Sequence, residues 1–114
     1  MGQIYKEQGN LEQALKHVKR ALDIGLKLFG ENHSSVIKNY YNLGQIYHDQ
    51  GVLNKAILYT KKSIATSLRY HGADDLYVLK GYCTLMTIYR RQGKLEQATK
   101  CFLISRKIIQ SRKS

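Results

Sequence analysis

The side chains able to do covalent or metal chemistry are few and scattered in this sequence. The histidines form none of the close pairs from which metal sites are built: His17, His33, His48 and His71. Cys83 and Cys101 lie far apart among apolar neighbours, which favours helix packing over a reactive pair. No phosphate-binding loop, nucleotide fingerprint or carboxylate pair is present. We therefore predict a protein that is not an enzyme and that uses no cofactor or metal.

Positive charge is the strongest chemical feature of the chain. Lysine and arginine total 19 against 8 acidic residues, which gives a formal net charge of +11. Such an excess favours polyanionic partners, which include nucleic acid, anionic membranes and acidic peptides. The bases are densest near the C-terminus, where Glu96 is the one acid among them: Arg90, Arg91, Lys94, Lys100, Arg106, Lys107, Arg112 and Lys113. No aromatic residues alternate with these bases on one face as a stacking platform would, so nucleic acid is the less favoured partner.

Length and hydropathy place limits on the class of protein. A chain of 114 residues with 43% hydrophobic residues predicts at most one folded domain. No stretch approaches the roughly 18 apolar residues of a membrane span, and the first residues contain no apolar signal segment. The two cysteines do not form a disulfide framework. We therefore expect a soluble, cytoplasmic protein without a transmembrane segment.

The elements that position these side chains come from a repeated stretch. Each copy predicts a helix end, a glycine turn and the start of a second helix. Three residue types recur every 42 positions: Tyr5, Tyr47 and Tyr89; Gly9, Gly51 and Gly93; Ala14, Ala56 and Ala98. A fixed period without insertions is typical of repeat architectures. An antiparallel helix pair cannot bury its apolar stripe alone, so we expect successive pairs to stack, with Gly44 and Ala56 at the crossings.

Apolar spacing and capping residues predict where each helix begins and ends. After the end of a truncated helix at 1–8, helices are predicted over about 11–28, 36–49, 53–70, 76–91 and 95–109. The predicted stops and caps are the turn at Gly9 with Asn10 as cap, Gly30, Ser34 or Ser35, Gly72, and Asp74 or Asp75. We divide the single domain, 1–114, into a truncated unit 1–35, units 36–77 and 78–110, and a polar, frayed tail 111–114.

The repeated residues resemble those of the tetratricopeptide repeat along essentially the whole chain: Tyr40, Leu43, Gly44, Tyr47, Gly51 and Ala56. The long period and the stretch from Ala21 to Leu43 are similar to the kinesin light chain type of these repeats. The resemblance implies an all-α, right-handed superhelical solenoid of antiparallel helix pairs. It also implies an adaptor-like groove for peptides.

The residues that the repeat leaves free are the candidates for binding. In such a superhelix the first helix of each pair lines the concave side, so its polar positions opposite the packed face are exposed there. They form the candidate peptide-binding set: Lys38, Tyr41, Asn42, Gln45, His48, Lys80, Thr84, Thr87, Arg90 and Arg91. The truncated helix adds Gln3, Lys6 and Glu7 to this side. Amide groups suit a peptide backbone, and lysine or arginine suits carboxylates.

These observations favour a non-catalytic scaffold or adaptor for protein–protein interaction. The partner would be an extended, acidic peptide bound on the concave face. The first alternative is a basic surface module for nucleic acid or anionic membrane. A second alternative is a purely structural or self-association segment, because the truncated first helix leaves the apolar stripe of 11–28 partly uncovered.

Overall fold

The computed structural model describes residues 2–113, with side chains from residue 9 onward, and it is an array of α-helices joined by short turns. The helices span, in order, α1 Gly2–Phe29, α2 Ser34–Gln50, α3 Leu53–His71, α4 Leu76–Arg91 and α5 Leu95–Lys113. No strand occurs within residues 2–113, and no helix there is long and apolar enough to cross a membrane. Each helix packs against the next, and α2 also contacts α4. The array measures 46 × 39 × 22 Å and confirms the predicted all-α helical solenoid.

Left-handed glycines end the helices at the predicted places. Gly30, Gly51 and Gly93 have φ values of 76°, 78° and 75°. This left-handed region is unfavourable in free energy for residues that carry a Cβ. At the end of α2, the Gly51 N–H bonds to the carbonyl of His48 at 3.0 Å. This closes the helix and reverses the chain into α3.

The turn predicted at Gly9 is wrong, and so is the helix cap predicted at Asn10. Helix α1 runs without interruption through both residues, and the φ angle of Gly9 is not positive. A reversal is stabilised by the apolar surface that two helices bury, and α1 contacts only α2 among the described helices. Continuing the helix instead satisfies the backbone N–H groups of residues 9–12 within α1.

The N-terminal caps of α2 and α4 differ in how well the sequence predicts them. Asp75 caps α4 as predicted, because its carboxylate accepts a hydrogen bond from the N–H of Tyr77 at 3.0 Å. The serine cap predicted for α2 is wrong. His33 is the cap, and its Nδ1 accepts the N–H of Ser35 at 3.2 Å and lies 2.7 Å from the Ser35 hydroxyl. Phe29 stacks on the His33 ring at 4.1 Å, which holds the ring in the capping position.

The last helix is longer than predicted. α5 continues to Lys113, whereas the sequence predicts its end near Ile109 and a frayed tail from 111 onward. The guanidinium of Arg112 donates a hydrogen bond to the backbone carbonyl of Asp74, so the last turn is tied to the loop before α4. Ser114 lies outside the described residues.

Close helix crossings organise the core. At Gly44 of α2, an added Cβ would lie 3.3 Å from the carbonyl oxygen of Ala56 and would overlap the Thr60 hydroxyl. Ala56 is fully buried at this crossing, as predicted. At Gly81 of α4, an added Cβ would lie 2.8 Å from Cδ1 of Ile64, a second crossing that the sequence analysis does not identify. Large residues fill the space between the crossings, and burying each contributes about 1.5–3 kcal/mol: Ile37, Leu43, Tyr47, Val78, Leu85, Ile88 and Tyr89.

Candidate functional site

A groove lies where α2 and α4 come side by side. We call it the α2–α4 groove; it encloses about 380 Å³. Six of the residues that line it belong to the predicted binding set: Tyr41, Gln45, His48, Lys80, Thr84 and Thr87. Leu79 and Cys83 complete the lining. The direct packing of α2 on α4 brings these two rows of side chains together, although they are some 40 residues apart in the chain.

Gln45 joins the two walls of the groove. Its Nε2 donates one hydrogen bond to the Tyr41 hydroxyl at 2.7 Å and another to Oγ1 of Thr84 at 2.8 Å. The first bond lies within α2 and the second crosses to α4. Thr84 is buried, so it forms part of the floor rather than an open contact. Since both amide hydrogens of Gln45 are engaged, this side chain fixes the spacing of the helices.

Lys80 is held over a pair of aromatic rings. Its Nζ lies 5.8 Å from the ring centre of Tyr41 and 5.4 Å from that of Tyr77. The two rings meet edge to face with their centres 5.7 Å apart. Contacts of this kind contribute about 0.5–1 kcal/mol at exposed sites, and here they keep the ammonium group beside the groove. Tyr77 does not appear among the predicted site residues, although its position three residues before Lys80 on one helix is a signal for this contact.

His48 carries a ring nitrogen without a partner. Nε2 is buried and makes no hydrogen bond among the described residues. The other nitrogen, Nδ1, lies 3.9 Å from the Asp49 carboxylate. The backbone carbonyl of His48 accepts a hydrogen bond from Arg91 at 3.0 Å, which ties the end of α2 to α4. A buried nitrogen of this kind is costly unless a ligand or water supplies its partner.

The remaining predicted residues lie outside the α2–α4 groove. Lys38 is exposed and Asn42 is half-buried on α2, and neither lines the groove. Arg90 lines a separate groove between α4 and α5, and Arg91 borders a depression with Asn10, Leu11 and Asp49. Three further candidates lie in the first turns of α1, where the structure does not describe side chains: Gln3, Lys6 and Glu7.

The two thiols are in different environments. Cys101 is buried in the core, and this burial raises the pKa of its thiol against the weaker opposing influence of Lys61. A thiol held in its protonated form is a poor nucleophile. Cys83 is half-buried at the α2–α4 groove, and both cysteines are free. Within the described part of the chain, no three histidine, cysteine or acidic residues cluster as a metal site would require.

Comparisons with known proteins agree with this architecture. A family model for the tetratricopeptide repeat matches residues 1–69. Among solved structures the chain is similar to BtubC (BKLC) from P. vanneervenii, with a TM-score of 0.84 and 22% sequence identity, a likeness that shows the fold. That match covers 98% of this chain and 45% of the other, so this chain spans less than half of its length. No curated protein matches the chain. Because the family model covers more than half of the sequence, the chain belongs to the tetratricopeptide repeat family.

Proposed function

We propose that the chain is a non-catalytic protein-interaction module that holds an extended, acidic peptide in the α2–α4 groove. Tetratricopeptide repeats generally mediate protein–protein interaction, and the inner surface of a solenoid is a common binding surface. The observation that carries the proposal is the position of Lys80 at this groove. Its ammonium group is held over two tyrosine rings, at the edge of a recess in which His48 has an unpaired ring nitrogen.

The groove offers different contacts to a peptide. The Lys80 ammonium would pair with a side-chain carboxylate or a terminal carboxylate. The Thr87 hydroxyl donates to the Cys83 carbonyl at 3.2 Å, so its oxygen would accept an N–H of the peptide backbone, a group that recurs whatever the sequence. Leu79 supplies an apolar contact between these polar groups. The groove thus combines an anchor for charge with contacts that any extended chain can use.

Charge supports an acidic partner in particular. No carboxylate lines the α2–α4 groove among residues 9–113, and the whole chain carries +11. A positive field speeds the approach of an acidic ligand and repels a basic one, and salt weakens both effects. An acidic peptide should therefore bind faster at low ionic strength, with a smaller change in its dissociation rate.

Substitutions of two lysines separate groove binding from general attraction by charge. The probe is a 12-residue peptide selected by display against the intact chain and then measured by titration calorimetry. We expect Lys80→Gln to weaken binding about 10-fold, because a charged hydrogen bond contributes about 1.5 kcal/mol or more. Lys38→Gln is the matched control, since Lys38 is an exposed lysine that does not line the groove. Its effect should stay within 2-fold.

Two outcomes would contradict the proposal. Equal losses in the two variants would mean that the net charge attracts the peptide without using the groove. Strong competition by single-stranded RNA or anionic vesicles, insensitive to Lys80→Gln, would favour a basic surface for polyanions instead.

A further inference from the structure

A second groove lies between α4 and α5, the last two helices that the structure describes. We call it the end groove; it encloses about 420 Å³ and is lined by Met86, Arg90, Leu95, Ala98, Thr99 and Phe102. Leu95, Phe102 and Ile109 are spaced seven residues apart, so they form one stripe along α5. These three side chains are 67%, 48% and 41% exposed. Apolar residues that recur on one helix face and stay exposed are typical of an interaction surface.

The preceding repeat shows how such a stripe is covered. The residues 42 positions earlier are Leu53, Thr60 and Ser67 on α3, and Thr60 and Ser67 are fully buried. Helix α4 contributes to this burial, since it packs against α3 and its cap Asp75 accepts the Ser67 hydroxyl. Within residues 2–113, no helix occupies the equivalent place on α5. The end groove therefore has the form of a seat for one more helix.

Two contact points in this seat are positively charged. In the middle repeat, the Ile64 side chain packs against Gly81 of α4, and the backbone carbonyl of His48 accepts a hydrogen bond from Arg91. The residues 42 positions after Ile64 and His48 are Arg106 and Arg90. No carboxylate lines the end groove among the described residues. The nearby Glu96 is engaged with Lys100 at 3.8 Å.

We propose that the end groove docks an acidic amphipathic helix of a partner protein, in the place that α4 takes on α2 and α3. Apolar residues of that helix would cover the stripe on α5, and its carboxylates would pair with Arg90 and Arg106. A second copy of this chain fits less well, because two copies of charge +11 repel and each would bring bases to the same rim. This surface is separate from the α2–α4 groove and does not depend on the function proposed for it.

The geometry of α4 sets the spacing that the partner helix needs. Its contacts in the middle repeat, Gly81 and Arg91, are ten residues apart, about 15 Å along a helix. The buried apolar residues between them are Leu85, Ile88 and Tyr89, of which Ile88 lies in a core cluster with Leu43 and Tyr47 of α2 and Ala56 of α3. A suitable acidic probe is a synthetic peptide with the α4 sequence from Leu76 to Gln92, altered by Gly81→Glu and Arg91→Glu and, to remove the remaining bases, by Lys80→Gln and Arg90→Gln.

Anisotropy of the labelled peptide titrated with the intact chain tests the proposal. We expect saturable binding that Arg106→Glu weakens at least 10-fold. Lys107→Glu is the matched control, because it makes the same change of charge at an exposed neighbour whose counterpart in α3, Ala65, is also exposed. Its effect should stay within 2-fold. A peptide with Gly81→Lys in place of Gly81→Glu should restore binding to the Arg106→Glu chain.

Several results would overturn the inference. One is the absence of saturable binding, and another is an equal loss in Arg106→Glu and Lys107→Glu. Loss of binding in Lys80→Gln with no change in Arg106→Glu would place the peptide in the α2–α4 groove. Sedimentation of the chain alone supplies the last test. A dimer that Phe102→Asp converts to a monomer would identify a second copy as the occupant, whereas a monomer at all concentrations agrees with a separate partner.

Discussion

At the scale of single residues, Asp75 joins three parts of the molecule. Its carboxylate caps α4 through the N–H of Tyr77 and accepts the hydroxyl of Ser67 on α3. Partial burial works to raise the pKa of this carboxyl, but the two hydrogen bonds and the positive charges of His71 and Arg112 outweigh it. The net result is a pKa below the ordinary value of 3.8. Since the folded state holds the ionised form more tightly than the unfolded state does, this charge stabilises the fold.

The contribution of Asp75 should therefore depend on pH in a defined direction. It is fully present above the unfolded-state pKa near 3.8 and is lost as the pH falls through the lower folded-state pKa. In urea denaturation at pH 6, Asp75→Ala should lower the free energy of unfolding by about 1 kcal/mol, the usual value of an N-cap. As the pH falls below 3.8, the difference between the wild type and the variant should shrink. Asp74→Ala is the control, and a loss as large as that of Asp75→Ala would contradict the account.

The two side chains that cap α4 and α2, Asp75 and His33, differ in whether the sequence predicts them. An aspartate before a helix is a common cap, so Asp75 is predicted. His33 is not, because a ring nitrogen becomes a cap only when the ring is held in place, here by stacking on Phe29 and bonding to Ser35. Those contacts depend on the conformation of the loop, which the order of residues does not specify.

At the scale of helices, the same sequence pattern gives two different structures. Gly51 ends α2 in the left-handed region, whereas Gly9, in the corresponding position, lies inside α1. The difference lies in the packing around each glycine. The 17-residue helix α2 packs against α1, α3 and α4, whereas α1 contacts only α2 among the described helices. The local sequence pattern predicts that the chain is able to turn at each glycine. The turn forms only where the folded-back helix buries apolar surface against its neighbours.

Alanine substitutions at these two glycines distinguish a turn from a helix. Gly51→Ala should lower the free energy of unfolding by about 1–2 kcal/mol, because a Cβ is unfavourable at φ 78°. Gly9→Ala should instead raise it by about 0.5–1 kcal/mol, since alanine is the better residue inside a helix and its Cβ would meet no atom within 4 Å. Thermal and urea denaturation measure both. A loss at Gly9→Ala similar to that at Gly51→Ala would mean that the chain turns there.

At the scale of the whole molecule, the repeat predicts the solenoid and much of the α2–α4 groove. Tyr41, Gln45 and Lys80 lie on one face because helical spacing places them there, and stacking then brings α2 to α4. The spacing of residues along one helix does not predict which neighbouring helix buries a given polar side chain. Thr84 is therefore buried under Gln45, and Arg90 lies in the end groove instead. Such assignments depend on how adjacent helices cross, at points such as Gly81 and Ile64.

The two grooves also differ in the partner that they suit. The α2–α4 groove presents tyrosine, glutamine, histidine and threonine side chains, with one lysine fixed over aromatic rings. The end groove is apolar, with arginines at its borders. We infer that the array has two surfaces for acidic ligands, one for an extended peptide and one for a helix. Both would weaken with salt, and the second should show the larger heat-capacity change, because a helix bound there also buries the stripe of Leu95, Phe102 and Ile109.

The most direct test of the central claim is a map of where a bound acidic peptide touches the chain. A display-selected peptide carrying a photo-crosslinking group at its centre is bound to the intact chain and irradiated, and the modified residues are identified by mass spectrometry. The account predicts modification at the α2–α4 groove, on Tyr41, His48, Cys83 or Thr87, and its loss in Lys80→Gln. Modification concentrated on the outer basic residues of α5, unchanged in Lys80→Gln, would contradict it.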